Sequence, residues 1–281
     1  MSQILDGQMV SKEIRERVKE EVARLEIKPK LAVILVGDDD ASQIYVRNKV
    51  KTCNSVGIIA EDYLLPSDTI EKELLDLIEK LNKDKSVNGI LVQMPLPKHI
   101  NENTVVNTIL PIKDVDGLNL VNQGKLLNRN PALVPATPKG IITLLKRYFV
   151  EIEGKKVVVI GRSKLVGMPL ALLFINANAT VTICHSYTEN LKEITKQADI
   201  LVSAVGKANF ISGDMIKKDA VVVDVGINRQ MGNIVGDVNF KEAMEVARLV
   251  TPVPKGVGPM TIASLLENVL EAYDLQKRDI Q

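Results

Sequence analysis

The predicted fold follows from one stretch of the chain, Lys156-Val-Val-Val-Ile-Gly-Arg-Ser-Lys-Leu-Val-Gly-Met-Pro-Leu-Ala-Leu-Leu-Phe174. Its β-branched run, Val157–Ile160, predicts a strand, and the segment Gly161–Gly167 predicts a tight turn. Apolar residues at helical spacing from Leu170 onward predict a helix. A strand, a glycine turn and a helix in this order begin a nucleotide-binding βαβ unit, because glycine lets a phosphate approach the backbone and the helix N-terminus attracts it.

The turn departs from the Gly-x-Gly-x-x-Gly fingerprint, since Ser163 stands where the second glycine would be. A strand-to-helix turn without a ligand is therefore the alternative. Arg162 and Ser163 favour a phosphate site, because a guanidinium and a hydroxyl are good phosphate partners. The next predicted strand ends at His185 and Ser186, with no acid to hold a ribose 2′-hydroxyl as NAD-specific sites do. We therefore expect Arg162, His185 and Ser186 to surround a 2′-phosphate, which favours NADP over NAD.

Length and composition predict an ordinary globular protein of 281 residues, 46% hydrophobic and 25% charged. A net charge of +1 provides no general attraction for nucleic acid or an anionic membrane, so we expect neither as a partner. Cys53 and Cys184 lack metal-ligand spacing and are expected to be free, buried thiols in a reducing compartment. No apolar run is long enough for a membrane span and the N-terminus does not resemble a signal peptide, so the expected location is cytoplasmic.

Periodicity predicts alternating helices and strands along the first half of the chain. Apolar positions predict helices at 10–25, 40–55, 69–81 and 101–109, and strands at 31–36, 58–65 and 89–92. Asp40 is the expected N-cap of the second helix, because Gln43 follows three residues later. This alternation predicts a parallel sheet with helices on both faces. The segment Leu110–Thr137 is rich in Pro, Asn, Asp and Gly, and is expected to be irregular and either functional or a linker.

A helix opened by Pro138 separates this half from a second predicted sheet, with strands at 157–160, 181–184, 200–203, 221–224 and 249–251 and a final helix at 261–275. The strand ends Ser203–Gly206 and Asp224–Asn228 are expected at the ligand-binding edge. We therefore expect an α/β protein of two three-layer α/β/α domains with a cleft between them. The first domain is 1–137, completed by the C-terminal helix 259–281, and the second is a Rossmann-like domain at 138–258.

Three segments of the first domain carry candidate functional side chains. Tyr45 and Lys49 lie four residues apart and so share one helix face. Gln93 follows a buried strand at the edge where ligands bind, and Asp116 lies in the irregular segment. Each has an ordinary structural alternative: a half-buried tyrosine beside a surface lysine, a turn glutamine, and an Asx-type turn.

Together the motifs resemble the bifunctional methylenetetrahydrofolate dehydrogenase/cyclohydrolase family. They span nearly the whole chain, in order: Gly37-x-x-x-Ala-Ser-x-x-Tyr45-Val-x-x-Lys49-x-Lys51, Gly89-Ile-Leu-Val-Gln93-Met-Pro-Leu-Pro97, Lys113-Asp-Val-Asp116-Gly-Leu118, Pro135-Ala-Thr-Pro138, Gly161-Arg-Ser-x-x-Val-Gly-x-Pro169, Asp224-Val-Gly-Ile-Asn228 and Thr251-Pro-Val-Pro-x-Gly-Val-Gly-Pro-Met-Thr261.

The resemblance implies an enzyme of one-carbon metabolism and purine biosynthesis. It would oxidise 5,10-methylenetetrahydrofolate with NADP to the methenyl form and hydrolyse that to 10-formyltetrahydrofolate. Lys49 would be the main catalytic residue, since a lysine in a desolvated cleft can move protons near neutral pH. Gln93 would hold Lys49 by a hydrogen bond, Tyr45 would stack on the aminobenzoyl ring, and Asp116 would accept hydrogen bonds from the pterin.

The resemblance also implies which residues bind the ligands, that the enzyme uses no metal, and that it forms a homodimer through the cofactor domain. The residues expected to bind NADP are Gly161, Arg162, Ser163, Gly167, Ser186 and Ile227. Those expected to bind the substrate are Tyr45, Lys49, Gln93, Asp116, Gly256, Gly258 and Pro259.

Two positions depart from the family pattern. Ala136 stands where the family usually has cysteine; it is small and should fit, so no thiol is required there. Lys255 stands where the family usually has glycine, and a positive φ there would strain it by roughly 1 kcal/mol.

Three other functions fit the sequence less well than the bifunctional enzyme does. A monofunctional dehydrogenase is less favoured because both Lys49 and Gln93 are present. A shikimate-type dehydrogenase would not explain the Tyr45/Lys49 and Val-Pro-x-Gly-Val-Gly signals together. A non-catalytic NADP-binding regulator would be expected to have lost Lys49 or Asp116, and both remain.

Overall fold

The computed structural model describes residues 3–230 and 232–278. In chain order the first elements are β1 (Gln3–Ile4), α1 (Gly7–Ala23), β2 (Lys30–Val36), α2 (Asp40–Ser55), β3 (Ile59–Leu65), α3 (Glu71–Lys83), β4 (Gly89–Val92), α4 (Glu102–Thr108), α5 (Leu120–Leu127) and α6 (Ala136–Arg147). They are followed by β5 (Lys156–Ile160), α7 (Gly167–Asn176), β6 (Thr180–Cys184), α8 (Leu191–Thr195), β7 (Ile200–Ser203), β8 (Val221–Asp224), β9 (Asn228–Gln230), β10 (Asn233–Val235), α9 (Phe240–Val246), β11 (Leu249–Val250) and α10 (Val257–Arg278).

These elements form two units. The six-stranded unit comprises Met1–Lys12 and Thr137–Ala263, and the three-stranded unit comprises Glu13–Ala136 and Ser264–Gln281. The three boundaries between them fall within α1, after the first residue of α6, and within α10.

The three-stranded unit contains a parallel sheet in the order β3-β2-β4. Every residue of the run Leu31–Val36 in the central strand is buried, which explains why this strand is apolar without alternation. Ala32, Ile34 and Val36 pack with Leu74 and Ile78 of α3 in one apolar cluster. The carboxyl ends of β2 and β4 therefore project from a fixed core.

The six-stranded unit contains a sheet in the order β1-β11-β8-β7-β5-β6, with all neighbouring strands parallel. The chain leaves β5 for β6 on one side and then crosses to β7 on the other side. The carboxyl end of β5 is thus a topological switch point, the usual ligand position in an open α/β sheet. The two-unit α/β architecture and the Rossmann-like second sheet are confirmed.

Two local expectations are wrong. Asp39, not Asp40, caps α2: its carboxylate accepts a hydrogen bond from the Ser42 backbone N–H at 2.8 Å. The segment 110–137 is not wholly irregular, because it contains α5. Asn119 caps that helix through the Val121 N–H, while Leu120 and Val121 lie exposed and so disguise its apolar face.

The chain termini also depart from the expected division. The first residues do not fold with the three-stranded sheet, because Gln3 and Ile4 pair with Leu249 and Val250 of β11. The last helix begins at Val257, four residues before the expected start. The pairing of β1 depends on a strand distant in sequence, which local periodicity does not detect.

Both cysteines are buried and free, as expected. Within residues 3–230 and 232–278, no helix combines the length and apolar character that a bilayer crossing needs.

The two departures from the family pattern have different structural consequences. Ala136 is buried at the start of α6. Lys255 has a φ of +85°, the left-handed conformation that strains a residue with a Cβ. Its carbonyl accepts a hydrogen bond from the Gln8 N–H at 3.0 Å, which helps to hold the backbone there.

We expect Lys255→Gly to be more stable than Lys255→Ala by up to about 1 kcal/mol. Both variants lose the lysine side chain, but only glycine adopts this φ without a clash, and its freedom in the unfolded chain offsets part of the gain. Chemical denaturation of the two variants measures the difference. An alanine variant at least as stable as the glycine variant would show that this backbone is not strained.

Candidate active site

Lys49 and Gln93 are joined by a direct hydrogen bond. The Lys49 ammonium, on α2, donates to Gln93 Oε1 at 2.9 Å, just beyond the end of β4. The other end of the glutamine amide is also fixed, since Nε2 donates to the Met94 carbonyl at 2.7 Å. Both side chains are half-buried, so an oriented amide holds the amine where it keeps partial access to solvent.

Asp116 completes the charged group around this amine. Its side chain is half-buried, and burial raises the pKa of its carboxyl above the ordinary value, while the nearby positive charge of Lys49 opposes that rise. Tyr45 lies one helical turn before Lys49 and is 45% exposed, so its ring is open to a ligand. The sequence placed these side chains in separate segments, and the fold brings Lys49, Gln93 and Asp116 within interaction range.

Cys53 lies one turn after Lys49 and is inert. Burial raises the pKa of its thiol to about 12, although the Lys49 charge acts in the opposite direction. The thiol therefore stays protonated near neutral pH and offers Lys49 no thiolate partner.

The loop that carries Asp116 is anchored on its N-terminal side by Lys113. This buried ammonium donates to three carbonyl oxygens at the end of α3, those of Leu81, Asn82 and Asp84, at 3.0, 2.9 and 2.7 Å. A cation at a helix C-terminus satisfies free carbonyls and interacts favourably with the helix dipole. Lys113 is therefore structural, although it belongs to the same motif as Asp116.

The same loop is anchored on its C-terminal side by Gly117. This residue has a φ of +66°, and a Cβ there would lie 2.6 Å from both the Val134 carbonyl carbon and the Pro135 nitrogen. Only glycine allows the backbone to come this close, so the chain after Asp116 is packed against the backbone of Val134 and Pro135.

Asp114 is a buried acid that organises the start of α5. Its Oδ2 accepts hydrogen bonds from the Asn119 N–H at 2.8 Å and from Asn122 Nδ2 at 2.9 Å. Burial raises the pKa of this carboxyl to about 6, the hydrogen bonds oppose that rise, and the charge of Asp116 adds to it. Asp114 thus faces the fold while Asp116, two residues later, is the candidate ligand contact.

Asn268 is a structural residue that the sequence reasoning missed. Its buried Nδ2 donates to the carbonyls of Val115 and Val134 at 2.7 and 2.8 Å, tying α10 to both sides of the Asp116 loop. The available signal was a lone asparagine within the apolar stripe of the last helix, between Leu265 and Leu270.

The glycine turn lies at the switch point of the six-stranded sheet. Gly161 has a φ of +117°, and a Cβ there would lie 2.4 Å from the Ala204 carbonyl oxygen. A Cβ on Gly167 would lie 2.1 Å from the Gly161 carbonyl oxygen. Ser163 Oγ accepts weak hydrogen bonds from the N–H groups of Val166 and Gly167 at 3.2 and 3.4 Å, and so keeps its own hydrogen to donate.

Arg162 lies against the end of β6. Its guanidinium sits 5.9 Å from the centroid of the Tyr187 ring, and Tyr187 directly follows the exposed Ser186 in the chain. The His185 ring packs edge-on to Tyr187, and its Nδ1 accepts from the Tyr187 N–H at 3.2 Å, which leaves Nε2 as the donor in the neutral ring. A cation and hydroxyl donors thus gather where β5 and β6 end.

The remaining expected binding residues also lie in the six-stranded unit. Ile227 follows β8 and is 52% exposed. Gly256 is buried, and a Cβ there would lie 2.4 Å from the Pro252 carbonyl oxygen; Gly258 is exposed and Pro259 half-buried in the first turn of α10. Within the three-stranded unit are Tyr45, Lys49, Gln93 and Asp116.

The fold and these side chains define a class: an α/β protein with a dinucleotide-type glycine turn and a lysine–amide–carboxylate group. Comparison with known families is more specific. Residues 5–116 match the catalytic domain of tetrahydrofolate dehydrogenase/cyclohydrolase, and residues 135–277 match its NAD(P)-binding domain. The chain belongs to the tetrahydrofolate dehydrogenase/cyclohydrolase family, as its motifs predicted.

Individual relatives agree over the full length. The chain is 55% identical over 272 residues to the bifunctional protein FolD of Ligilactobacillus salivarius, with 95% of each chain covered. The crystal structure of the bifunctional FolD enzyme of Campylobacter jejuni matches with a TM-score of 0.96 at 47% identity, covering 98% of this chain and 100% of that one. The FolD structure of Trypanosoma brucei, complexed with NADP and an inhibitor, matches with a TM-score of 0.94 at 39% identity, covering 100% and 99%.

Asp114 predicts a specific pH dependence of stability. Its pKa is raised to about 6 in the folded protein. The stabilisation that its protonation gives to the folded state is therefore fully present below the unfolded-state pKa and is lost as the pH rises through 6. The unfolding free energy of the wild type relative to Asp114→Asn should therefore fall by about 2–3 kcal/mol between about pH 4 and pH 7.

Denaturant unfolding of both proteins across this pH range measures the trend. Any effect of the asparagine on stability that does not depend on pH cancels, because only the change of the difference with pH is compared. The exposed Asp68→Asn is the control for loss of one carboxylate. A wild-type advantage that stays flat or grows with pH would show that Asp114 is ionised throughout.

Proposed function

We propose that this protein oxidises 5,10-methylenetetrahydrofolate with NADP and then hydrolyses the methenyl product to 10-formyltetrahydrofolate. The observation that carries the proposal is the Lys49–Gln93 hydrogen bond of 2.9 Å beside the Asp116 carboxylate. Membership of the dehydrogenase/cyclohydrolase family and near-complete coverage by bifunctional relatives support it.

Lys49 is the proposed proton carrier. Addition of water to the methenyl cation followed by ring opening gives the 10-formyl product and releases one proton, so a nearby amine that accepts and donates protons assists both steps. Gln93 holds the amine by its carbonyl and cannot rotate freely, because Met94 fixes its amide nitrogen. The negative Asp116 compensates one positive charge in the site: that of Lys49 when the amine is protonated, or that of the methenyl cation when the amine has given up its proton.

Tyr45 and Asp116 are the proposed substrate contacts. The exposed Tyr45 ring can stack on the aminobenzoyl group. Asp116 can accept hydrogen bonds from the amino and ring N–H groups of the pterin. Burial raises the pKa of its carboxyl by removing water from it, and these N–H donors would supply the hydrogen bonds that water no longer makes. Gly256, Gly258 and Pro259, which lie in the six-stranded unit, remain predicted substrate-binding residues.

The turn residues fit a dinucleotide phosphate. Gly161 and Gly167 pack too closely for any Cβ, and Ser163 keeps a hydroxyl hydrogen free to donate. Arg162 with Ser186 fits the ribose 2′-phosphate, and no acid at the end of β6 would repel it. NADP, when bound, supplies the acceptor for the hydride that leaves the methylene carbon.

Domain roles, assembly and location follow as further proposals. We propose that the three-stranded unit binds folate and the six-stranded unit binds NADP. The match to the family's catalytic domain lies mostly in the first of these units, and the match to its NAD(P)-binding domain lies mostly in the second. A cytoplasmic homodimer joined through the six-stranded units remains a prediction, and sedimentation analysis of the purified protein measures its stoichiometry.

A spectroscopic assay tests both activities. With methylenetetrahydrofolate and NADP, reduced cofactor should form while the methenyl product appears and then decays. No reduced cofactor with either NADP or NAD would refute the dehydrogenase, and a stable methenyl product would indicate a monofunctional enzyme. Bound NADP without turnover would indicate a regulator.

Lys49→Met should lower the rate of methenyl decay at least about 100-fold, because the proton carrier is lost while its volume is largely kept. The decay is measured with methenyltetrahydrofolate supplied directly, so the dehydrogenase step does not enter. Arg47→Met, which removes an exposed cation from the same helix, is the matched control. Normal cyclohydrolase activity in Lys49→Met would refute the assigned role.

Arg162→Ala should lower kcat/KM for NADP about 10- to 100-fold and leave the value for NAD nearly unchanged, because only NADP carries the 2′-phosphate. Steady-state rates with each cofactor measure the ratio. Lys164→Ala removes an exposed cation from the same turn and is the control. Equal losses with NADP and NAD would place Arg162 away from the 2′-phosphate.

A further inference from the structure

Two buried acids lie behind the carboxyl edge of the six-stranded sheet. Asp237, between β10 and α9, is fully buried, and Asp224, at the end of β8, is nearly so. Neither is among the residues assigned above to cofactor or substrate. A buried carboxylate is unfavourable unless hydrogen bonds compensate it, so the donors around each acid indicate what it organises.

Asp237 collects donors from two strand-end loops. Its carboxylate accepts hydrogen bonds from Ser203 Oγ, Val205 N and Gly206 N at 3.2, 2.7 and 3.2 Å, and from Lys207 N and Asn228 Nδ2 at 2.9 and 3.0 Å. Three successive backbone N–H groups converging in this way form a typical anion-binding concavity. Here the protein's own carboxylate fills it, so the loop after β7 is held from inside.

Asp224 in turn holds Asp237. Its Oδ1 accepts from the N–H groups of Gly226 and Asp237, both at 2.9 Å, and its Oδ2 accepts from the Val238 N–H at 2.8 Å. Burial raises the pKa of Asp224 to about 6, the backbone donors oppose this rise, and the charge of Asp237 adds to it.

The close packing of the pair requires two glycines. A Cβ on Gly236 would lie 1.8 Å from Asp224 Oδ2, and a Cβ on Gly226 would lie 2.1 Å from Asp237 Oδ1. The glycine of the Asp224-Val-Gly-Ile-Asn228 motif therefore admits a carboxylate, not a ligand, at this point.

Ile227 is the residue that this arrangement fixes. It is exposed, but its two neighbours are each tied to one acid: Gly226 to Asp224 and Asn228 to Asp237. The loop held by Asp237 also meets the glycine turn, since the Ala204 N–H donates to the Ile160 carbonyl at 2.8 Å. The two acids thus hold the loop after β7 and the segment around Ile227, and the loop after β7 in turn contacts the end of β5 at the switch point of the sheet.

We propose that Asp237, supported by Asp224, is a positioning residue for NADP: it sets the Ser203–Lys207 loop and Ile227 against the cofactor without touching it. The inference rests on the proposed NADP-dependent function. It predicts that weakening this carboxylate reduces cofactor affinity while the chemistry on the three-stranded unit continues.

Asp237→Asn tests the inference, because an amide NH2 cannot accept the hydrogen bonds that one carboxylate oxygen accepts. NADPH titration by fluorescence should give a Kd raised about tenfold or more, with KM for NADP raised to match and kcat at saturating NADP within about threefold of wild type. Cyclohydrolase activity on supplied methenyltetrahydrofolate should be retained, which verifies that the variant is folded.

Asp199→Asn is the matched control. Asp199 precedes β7 at the opposite edge of the same sheet and accepts hydrogen bonds from the Lys156 N–H and the Lys217 ammonium at 2.9 and 2.6 Å. The Asp199→Asn variant should bind NADPH with wild-type affinity. A second variant, Asn228→Ala, deletes only one donor to Asp237 and should raise the Kd about two- to fivefold, so the inference is testable even if Asp237→Asn does not fold.

The outcomes separate the two proposals. A wild-type protein that binds no NADPH would overturn the proposed function and this inference with it. Wild-type binding together with unchanged Kd and KM values in the folded variants would overturn the inference alone, even if their thermal stability fell, because Asp237 would then serve only the fold.

Discussion

Buried polar groups that must be hydrogen-bonded within the fold set the geometry at the carboxyl ends of both sheets. Lys113 is satisfied by three carbonyls at the end of α3, and Asp237 by five donors from two loops. Each group would be costly to bury without these partners. Because these partners lie in segments other than that of the buried group itself, the requirement fixes loops that have no regular secondary structure.

This requirement explains why acids adjacent in sequence have different tasks. Asp114 faces inward and holds α5, whereas Asp116 lies beside Lys49 and keeps a carboxylate for a ligand. Asp224 likewise faces inward, while Ile227 of the same motif is exposed. In each motif a buried acid fixes the backbone and a nearby side chain is presented at the edge of the sheet.

The proposed chemistry divides along the same lines. Proton transfer needs an amine held in place yet accessible, which the Lys49–Gln93 bond provides. Hydride transfer needs an aligned acceptor, which the turn at Gly161 and the loops behind it are built to hold. The departure at Lys255 affects neither group directly, since it is a backbone strain at the start of α10.

The alternation of strands and helices, the glycine turn and the family could be predicted from the sequence alone, because each is encoded in local spacing or in a contiguous motif. The sequence also named Lys49, Gln93 and Asp116 as candidates. The folded structure was needed to show that β1 joins β11, that Asn268 ties the Asp116 loop to α10, and that Asp237 fills the concavity of the Ser203–Lys207 loop. The cap of α2 and the helix α5 also escaped local reasoning, because neighbouring acids compete for one cap and the apolar residues of α5 are exposed. The β1 pairing and the contacts of Asn268 and Asp237 share another cause: a hydrogen bond depends on which atoms meet, and residues tens to more than a hundred positions apart meet only once the chain has folded.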